Sequence, residues 1–175
     1  MNFNIMRSIE IDAAHRVPEH GSGCRNLHGH RYKIEAYCKG ELATEGEQQG
    51  MALDFKFLKE EMMRHIHDPC DHGMMLRYND PLLELLAPNI AAMAEVVAMK
   101  DVYHDGMFLA DNSMWNKGLK LYILPMVPTA ENLAKHFYCK LFEHIKHRSD
   151  DRAKLARIRV WETPNCFAEY PAGIV

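Results

Sequence analysis

The chain is 175 residues long, 47% hydrophobic and 26% charged, enough for one domain with its own core and ordinary for a globular protein, which argues against disorder. Its net charge of −3 gives no basic footprint for nucleic acid, its apolar runs are far too short to span a bilayer, and its N-terminus has no long apolar run, so the expectation is a cytoplasmic protein with no membrane or nucleic-acid partner. Cysteines at 24, 38, 70, 139 and 166 form no C-x-x-C pair, which argues against both a four-cysteine zinc ribbon and a disulfide framework.

The first predicted element is a strand. Odd positions read Phe3, Ile5, Arg7, Ile9, Ile11, Ala13 and His15, and even ones Asn4, Met6, Ser8, Glu10 and Asp12. This alternation fits a half-buried strand whose inward row ends at His15. A polar loop from Pro18 to Gly23 follows. The second strand begins near His28 and carries His28, His30, Tyr32, Ile34, Ala36 and Cys38 on one face. Antiparallel pairing would set the end of the first strand beside the start of the second, so that His15, His28 and His30 meet at one end of the sheet.

After Gly50, Asp54 is expected to cap a helix with Phe55, Leu58, Met62 and Ile66 at helical spacing, ended by Pro69. Asp71 and His72 then lie in a loop or strand start. The segment from about 82 to 118 holds an amphipathic stretch with Ile90, Met93 and Val97, followed by a polar loop. Leu119 to Leu124 reads as a strand. Thr129 caps a second helix through Leu133, Phe137, Leu141 and Ile145. In the last strand, Leu155 to Thr163, one row reads Ala156, Ile158, Val160 and Glu162, so a carboxylate ends an apolar face. This order predicts an α+β domain with helices on one face of an antiparallel sheet.

Eleven histidines exceed the roughly four that average composition would give. Three neutral imidazoles suit zinc, and a catalytic zinc typically keeps three protein ligands and one open position. Paired surface or core histidines are the commoner explanation of an isolated H-x-H; His15 at the same strand parity brings the metal reading level with it. Cys24, four residues before His28, has three readings: a buried structural thiol, a base or nucleophile activated near zinc, or a fourth ligand closing a structural site. Asp71 and His72 are candidates for a carboxylate that orients a proton-transferring imidazole, which needs a turn between them; a solvated loop is the alternative. Glu162, on an inward face, needs a partner, either a row of ligand N–H donors or an arginine.

Ala14-His15-Arg16, Cys24 three residues short of His28-Gly29-His30, Asp71-His72, Pro128-Thr129-Ala130-Glu131-Asn132, and Glu162-Thr163-Pro164 with Ala168-Glu169-Tyr170 together resemble the 6-pyruvoyltetrahydropterin synthase family in order and content. The resemblance spans the chain except for about 82 to 118. The three-residue gap after Cys24 is similar to the 6-carboxytetrahydropterin synthase branch of the queuosine (7-deazaguanine) pathway, whereas animal-type pyruvoyl enzymes usually have a longer gap. The resemblance implies a substrate, 7,8-dihydroneopterin triphosphate, and as products 6-carboxytetrahydropterin, acetaldehyde and triphosphate. A pyruvoyl-forming or other pterin side-chain lyase is the next reading, and a non-catalytic module with zinc closed by Cys24 and the three histidines is the reading of a different class.

The resemblance further implies zinc on His15, His28 and His30, proton transfer by Cys24 with Asp71 and His72 as the complementary relay, and Glu162 on the 2-amino and N3 edge of the pterin. The implied architecture is the tunnelling fold, a four-stranded antiparallel sheet with two helices on one face. Three subunits close a barrel and two trimers form a hexamer. Sites then lie at subunit interfaces, and Asp71, His72 or residues near Thr129 serve a neighbour. On this reading residues 1–175 are one domain with an insertion at about 82–118, longer than typical members carry. Lysines and arginines are too dispersed to nominate triphosphate contacts.

Overall fold

The computed structural model of the chain describes residues 2–88, 107–109 and 119–173. A long hairpin organises it. β1 (Asn2–His15) pairs antiparallel with β2 (His28–Glu41), with Asn2 opposite Glu41 and His15 opposite His28. Ile9, Ile11, Ala13 and His15 of β1 and Tyr32, Ile34, Ala36 and Cys38 of β2 are buried. A slip of one residue would turn this row to the opposite face, so burial itself fixes the register.

On the β2 side, β6 (Ala153–Thr163) pairs with β2 and β7 (Cys166–Tyr170) with β6, both antiparallel. On the β1 side the sheet continues through β3 (Gly73–Arg77), parallel to β1, and β5 (Leu121–Leu124), parallel to β3, to β4 (Met107–Leu109), antiparallel to β5. The order is β4-β5-β3-β1-β2-β6-β7. The antiparallel group β1, β2, β6 and β7 matches the expected four-stranded sheet. The β3, β5 and β4 extension goes beyond it: β5 is the strand expected at Leu119 to Leu124, but it pairs parallel with β3 instead of joining the antiparallel group, whose fourth strand is the unforeseen β7; β3 and β4, at five and three residues, leave little periodicity to read.

One expected row is corrected. A bulge opposite Tyr37 and Cys38 sends Ala153 and Leu155 into the core together with Ile158 and Val160, and leaves Ala156 exposed. One extra residue reverses the parity of everything before it, so the row starting at Ala156 holds only from Ile158 to Glu162.

α1 (Phe55–Met62) starts where the Asp54 side chain accepts the Lys56 N–H. Leu58, Met62 and Ile66 enter the core, but Phe55, at the first helical position, stays 51% exposed. Pro69 does not end the helical path. The chain passes through a π-turn at Met63–His67 into α2 (Asp68–Cys70), whose first turn tolerates a proline that lacks an N–H. α3 (Pro81–Leu86) is capped by Asp80 and packs Leu83 with Leu76, Ala87, Leu121 and Ile123 in a small second core. α4 (Ala130–Arg148) begins at the Thr129 cap and buries Leu133, Phe137, Leu141 and Ile145 against the same core as α1. The expected amphipathic stretch at Ile90, Met93 and Val97 lies outside the described residues. Among the described residues no helix is long and apolar enough to cross a membrane.

Candidate active site

The end of the hairpin gathers the three histidines. His15 faces His28, and Ala13 faces His30 across the strand pair. The ring centroids lie 4.6 Å (His15 and His28), 5.2 Å (His15 and His30) and 5.0 Å (His28 and His30) apart. One donor nitrogen from each ring falls within 4.8 Å of the other two. The backbone orients two of the rings. His15 Nδ1 donates to the Pro128 carbonyl at 2.8 Å, just before α4, and His28 Nδ1 donates to the Asn26 carbonyl at 2.8 Å. A carbonyl only accepts, so each Nδ1 carries a proton, and a neutral ring then keeps its lone pair on Nε2.

Whether a metal fits can be tested on the atoms left over. His15 is only 2% exposed, and its Nε2 is buried with no hydrogen-bond partner. An orphaned buried acceptor costs free energy unless something meets it. Burial holds the His15 pKa below its ordinary value, aided by the neighbouring His28 and His30 and only partly offset by the Pro128 carbonyl and Glu162. Neutral imidazoles converging with a free lone pair form a donor set suited to a divalent transition metal. Tyr32 lies beneath, its ring 5.7 Å from that of His15 and 5.6 Å from that of His30, and burial pushes its hydroxyl pKa up.

Glu162, at the end of β6, joins this group. Its Oε1 is 3.5 Å from His15 Nε2 and 3.8 Å from His30 Nε2. Cys24 lies on a single 3-10 turn, Gly23–Arg25, held to the end of the hairpin by the Val17 N–H donating to the Cys24 carbonyl at 2.9 Å. The thiol-bearing residue is exposed and outside the three-histidine donor group. It lines a cavity of about 260 Å³ with His15, Thr129, Glu131, Glu162 and Phe167. Glu131 and Phe167 were not foreseen as lining residues. The Glu131 motif was legible, but its approach to Cys24 depends on how α4 docks.

Asp71 and His72 do form a pair. His72 Nδ1 donates to Asp71 Oδ2 at 2.7 Å, and the required turn is present as a positive φ of 54° at His72. Asp71 Oδ1 also accepts the Asp12 N–H at 2.9 Å, while the His72 N–H donates to the Asp12 carbonyl. Burial works against the Asp71 charge, but the Asp12 N–H, His72 and His67 together hold its pKa below the usual carboxylate value. The pair sits beside Asp12, three residues before His15 on β1, roughly 10 Å along a strand. Within one chain neither residue lines the cavity that holds His15 and Cys24. His72 is 78% exposed.

A larger cavity of about 590 Å³ opens on the other side of Glu162 and His30, lined also by Trp161, Glu10, Arg31 and Lys33. These two cations were not nominated from the sequence. Arg31 holds Asp12 through two 2.9 Å bonds, and Lys33 holds Glu35 at 2.8 Å.

Residues 4–172 match the family model described as 6-pyruvoyl tetrahydropterin synthase, and the chain belongs to that family of enzymes. It is 29% identical over 168 residues to the 6-carboxy-5,6,7,8-tetrahydropterin synthase of Haemophilus influenzae, covering 96% of this chain and 98% of that protein. It is 30% identical over 163 residues to the protein of the same description from Rickettsia bellii, covering 93% and 96%. Among solved structures, an uncharacterized protein from Wolinella succinogenes superposes with a TM-score of 0.68 at 22% identity over 97% of both chains. The 6-pyruvoyl tetrahydropterin synthase of Caenorhabditis elegans gives 0.58 at 22% identity over 99% and 97%. The fold is therefore the tunnelling fold of this family.

His15 sets a pH dependence. Its lowered pKa means that the unfolded chain takes up a proton there before the folded one does. Its share of stability is complete above the ordinary value of 6.5 and is lost as pH falls from that value toward the folded one. Ligation by neutral imidazoles follows the same direction. Dialysis of metal-loaded protein is expected to retain the ion near about pH 7.5 and release most of it near about pH 5. Equal retention at both would contradict imidazole ligation.

Proposed function

We propose that the chain is a zinc-dependent 6-carboxy-5,6,7,8-tetrahydropterin synthase of queuosine biosynthesis. It converts 7,8-dihydroneopterin triphosphate to 6-carboxy-5,6,7,8-tetrahydropterin with release of acetaldehyde and triphosphate. The observation that carries this reading is the buried, orphaned Nε2 of His15 among three converging imidazoles, with Cys24 and Glu162 on the adjoining cavity. Near-full-length similarity to proteins described by that activity supports the choice of product. We take the chain as one domain, residues 1–175, with 82–118 as an addition, acting in the cytoplasm.

In this reading His15, His28 and His30 hold zinc, which when bound supplies Lewis-acid polarisation of the substrate's side-chain hydroxyls. Cys24 moves protons at the side-chain carbons. Its exposure on a short turn, outside the donor group, supports this role over that of a fourth ligand. Glu162 accepts the N–H groups of the pterin edge in a charge-assisted contact. Asp71 fixes the His72 tautomer through Nδ1 and leaves Nε2 to exchange a proton. Because this pair is remote from its own chain's cavity and His72 is exposed, it serves the cavity of a neighbouring subunit. The working form is thus a homo-oligomer, a trimer or hexamer in which sheets join edge to edge into a barrel; the exposed Phe167 on edge strand β7 is consistent with such pairing.

Two measurements test this. Incubation with dihydroneopterin triphosphate, followed by mass spectrometry, is expected to give the 6-carboxy product and acetaldehyde; a 6-pyruvoyl product or unchanged substrate would overturn the assignment. Separately, Cys24→Ala and Asp71→Asn are each expected to lower kcat by about 10²–10⁴-fold with metal retained. Mixed oligomers of the two variants should recover activity, since some interfaces then combine an intact Cys24 with an intact Asp71. No recovery despite subunit exchange would show that each chain uses its own pair.

A further inference from the structure

Among the described residues, a second group of donor side chains lies close enough together to hold a metal ion. It consists of Glu61 on α1, His65 in the π-turn and His144 on α4. His144 lies fifteen residues into the chain beyond the Thr129 cap, roughly 22 Å along the helix, so this group is separate from the three histidines at the end of the hairpin. We propose that Glu61, His65 and His144 form a second metal site for a divalent transition-metal ion that braces α1 against α4.

The donor atoms lie within 4.8 Å of one another. Glu61 is only 3% exposed, which is unusual for a carboxylate and costly unless its oxygens are met. Arg148 approaches Oε1 at 3.6 Å, while its closer partner is Glu60 at 2.7 Å. Glu61 Oε2 and His65 Nε2 are 3.3 Å apart, and each is buried without a hydrogen-bond partner. These two atoms face each other at a separation longer than a usual hydrogen bond, and an ion between them would satisfy both.

The imidazole of His144 supplies the third donor. It stacks on His65 with ring centroids 4.0 Å apart and planes 19° from parallel. Two imidazolium rings would repel at that distance, whereas two neutral rings with a carboxylate offer the N₂O set that zinc and its neighbours in the first transition row accept. Glu61 and His65 stand four residues apart and so project from one side of the helical path. The π-turn that begins at Met63 is a local departure from α-helical winding of the kind that recurs at functional sites. His144 is exposed, which gives an ion a path in and leaves the remaining coordination positions to water.

Cobalt(II) is the probe, added to tag-free protein stripped with a chelator and counted by equilibrium dialysis. His144→Ala, at an exposed position, should bind one equivalent per chain fewer than the parent, and His147→Ala, one turn away on the same helix, should match the parent. In a His28→Ala, His30→Ala background, cobalt should still raise Tm, and adding His144→Ala should abolish that rise. This second arm is independent of any ion at the hairpin histidines. Equal uptake by the parent and His144→Ala would overturn the proposal, as would an equal loss in His147→Ala, which would indicate adventitious surface binding. A Tm that cobalt leaves unchanged in the double-variant background would overturn it as well.

Discussion

The antiparallel pairing of β1 with β2 sets His15 opposite His28 and Ala13 opposite His30, and the geometry of the site follows from it. The same alternation that buries Ile9, Ile11 and Ala13 delivers His15 to the end of the buried row. The hydrophobic core and the three-imidazole cluster are therefore enforced by one register. A one-residue slip would lose both, so the site is as firmly specified as the core is. β6 completes it, since its pairing with β2 brings Trp161 opposite Lys33 and carries Glu162 to the histidines.

The opposite face of the sheet is polar, and it holds Glu162's strand in position. Glu35 is buried there, accepting from Tyr37 at 2.9 Å, Trp161 at 3.1 Å and Lys33 at 2.8 Å, with Arg159 nearby. Arg159 in turn binds Glu169 of β7 and lies 4.2 Å over the Phe167 ring. Burial opposes the Glu35 charge, but the Lys33, Trp161 and Tyr37 hydrogen bonds lower its pKa. This network ties β2, β6 and β7 together on the face away from the helices, so the three strands that frame Glu162 are held from both sides.

What the sequence made legible was whatever depends on period and spacing. His15, His28 and His30 could be brought to one point because strand parity is local information, and the turn between Asp71 and His72 was foreseeable because neighbouring strand residues point apart. The bulge at Ala156 was not, since one extra residue leaves no mark on an otherwise alternating pattern. Nor was the continuation of helix past Pro69, which depends on the preceding π-turn. Glu61 and His65 are visible as an i, i+4 pair, but their meeting with His144 is a product of α1 packing on α4, and no window of sequence contains it. The approach of Glu131 to Cys24 has the same origin. The Asp71–His72 pair shows a further limit: the sequence suggested the pair and the turn it needs, yet its placement beside Asp12 rather than in the cavity of its own chain's His15 emerges only from the pairing of β3 with β1.

The account rests on three imidazoles as the protein ligands at the hairpin end, with Cys24 left free for proton transfer. X-ray absorption at the zinc edge addresses this directly, in His144→Ala protein loaded with one zinc per chain. The expected spectrum contains only nitrogen and oxygen neighbours at about 2.0–2.1 Å with imidazole outer-shell scattering, whereas a sulfur neighbour near about 2.3 Å that disappears in Cys24→Ala would make Cys24 a ligand and contradict the account.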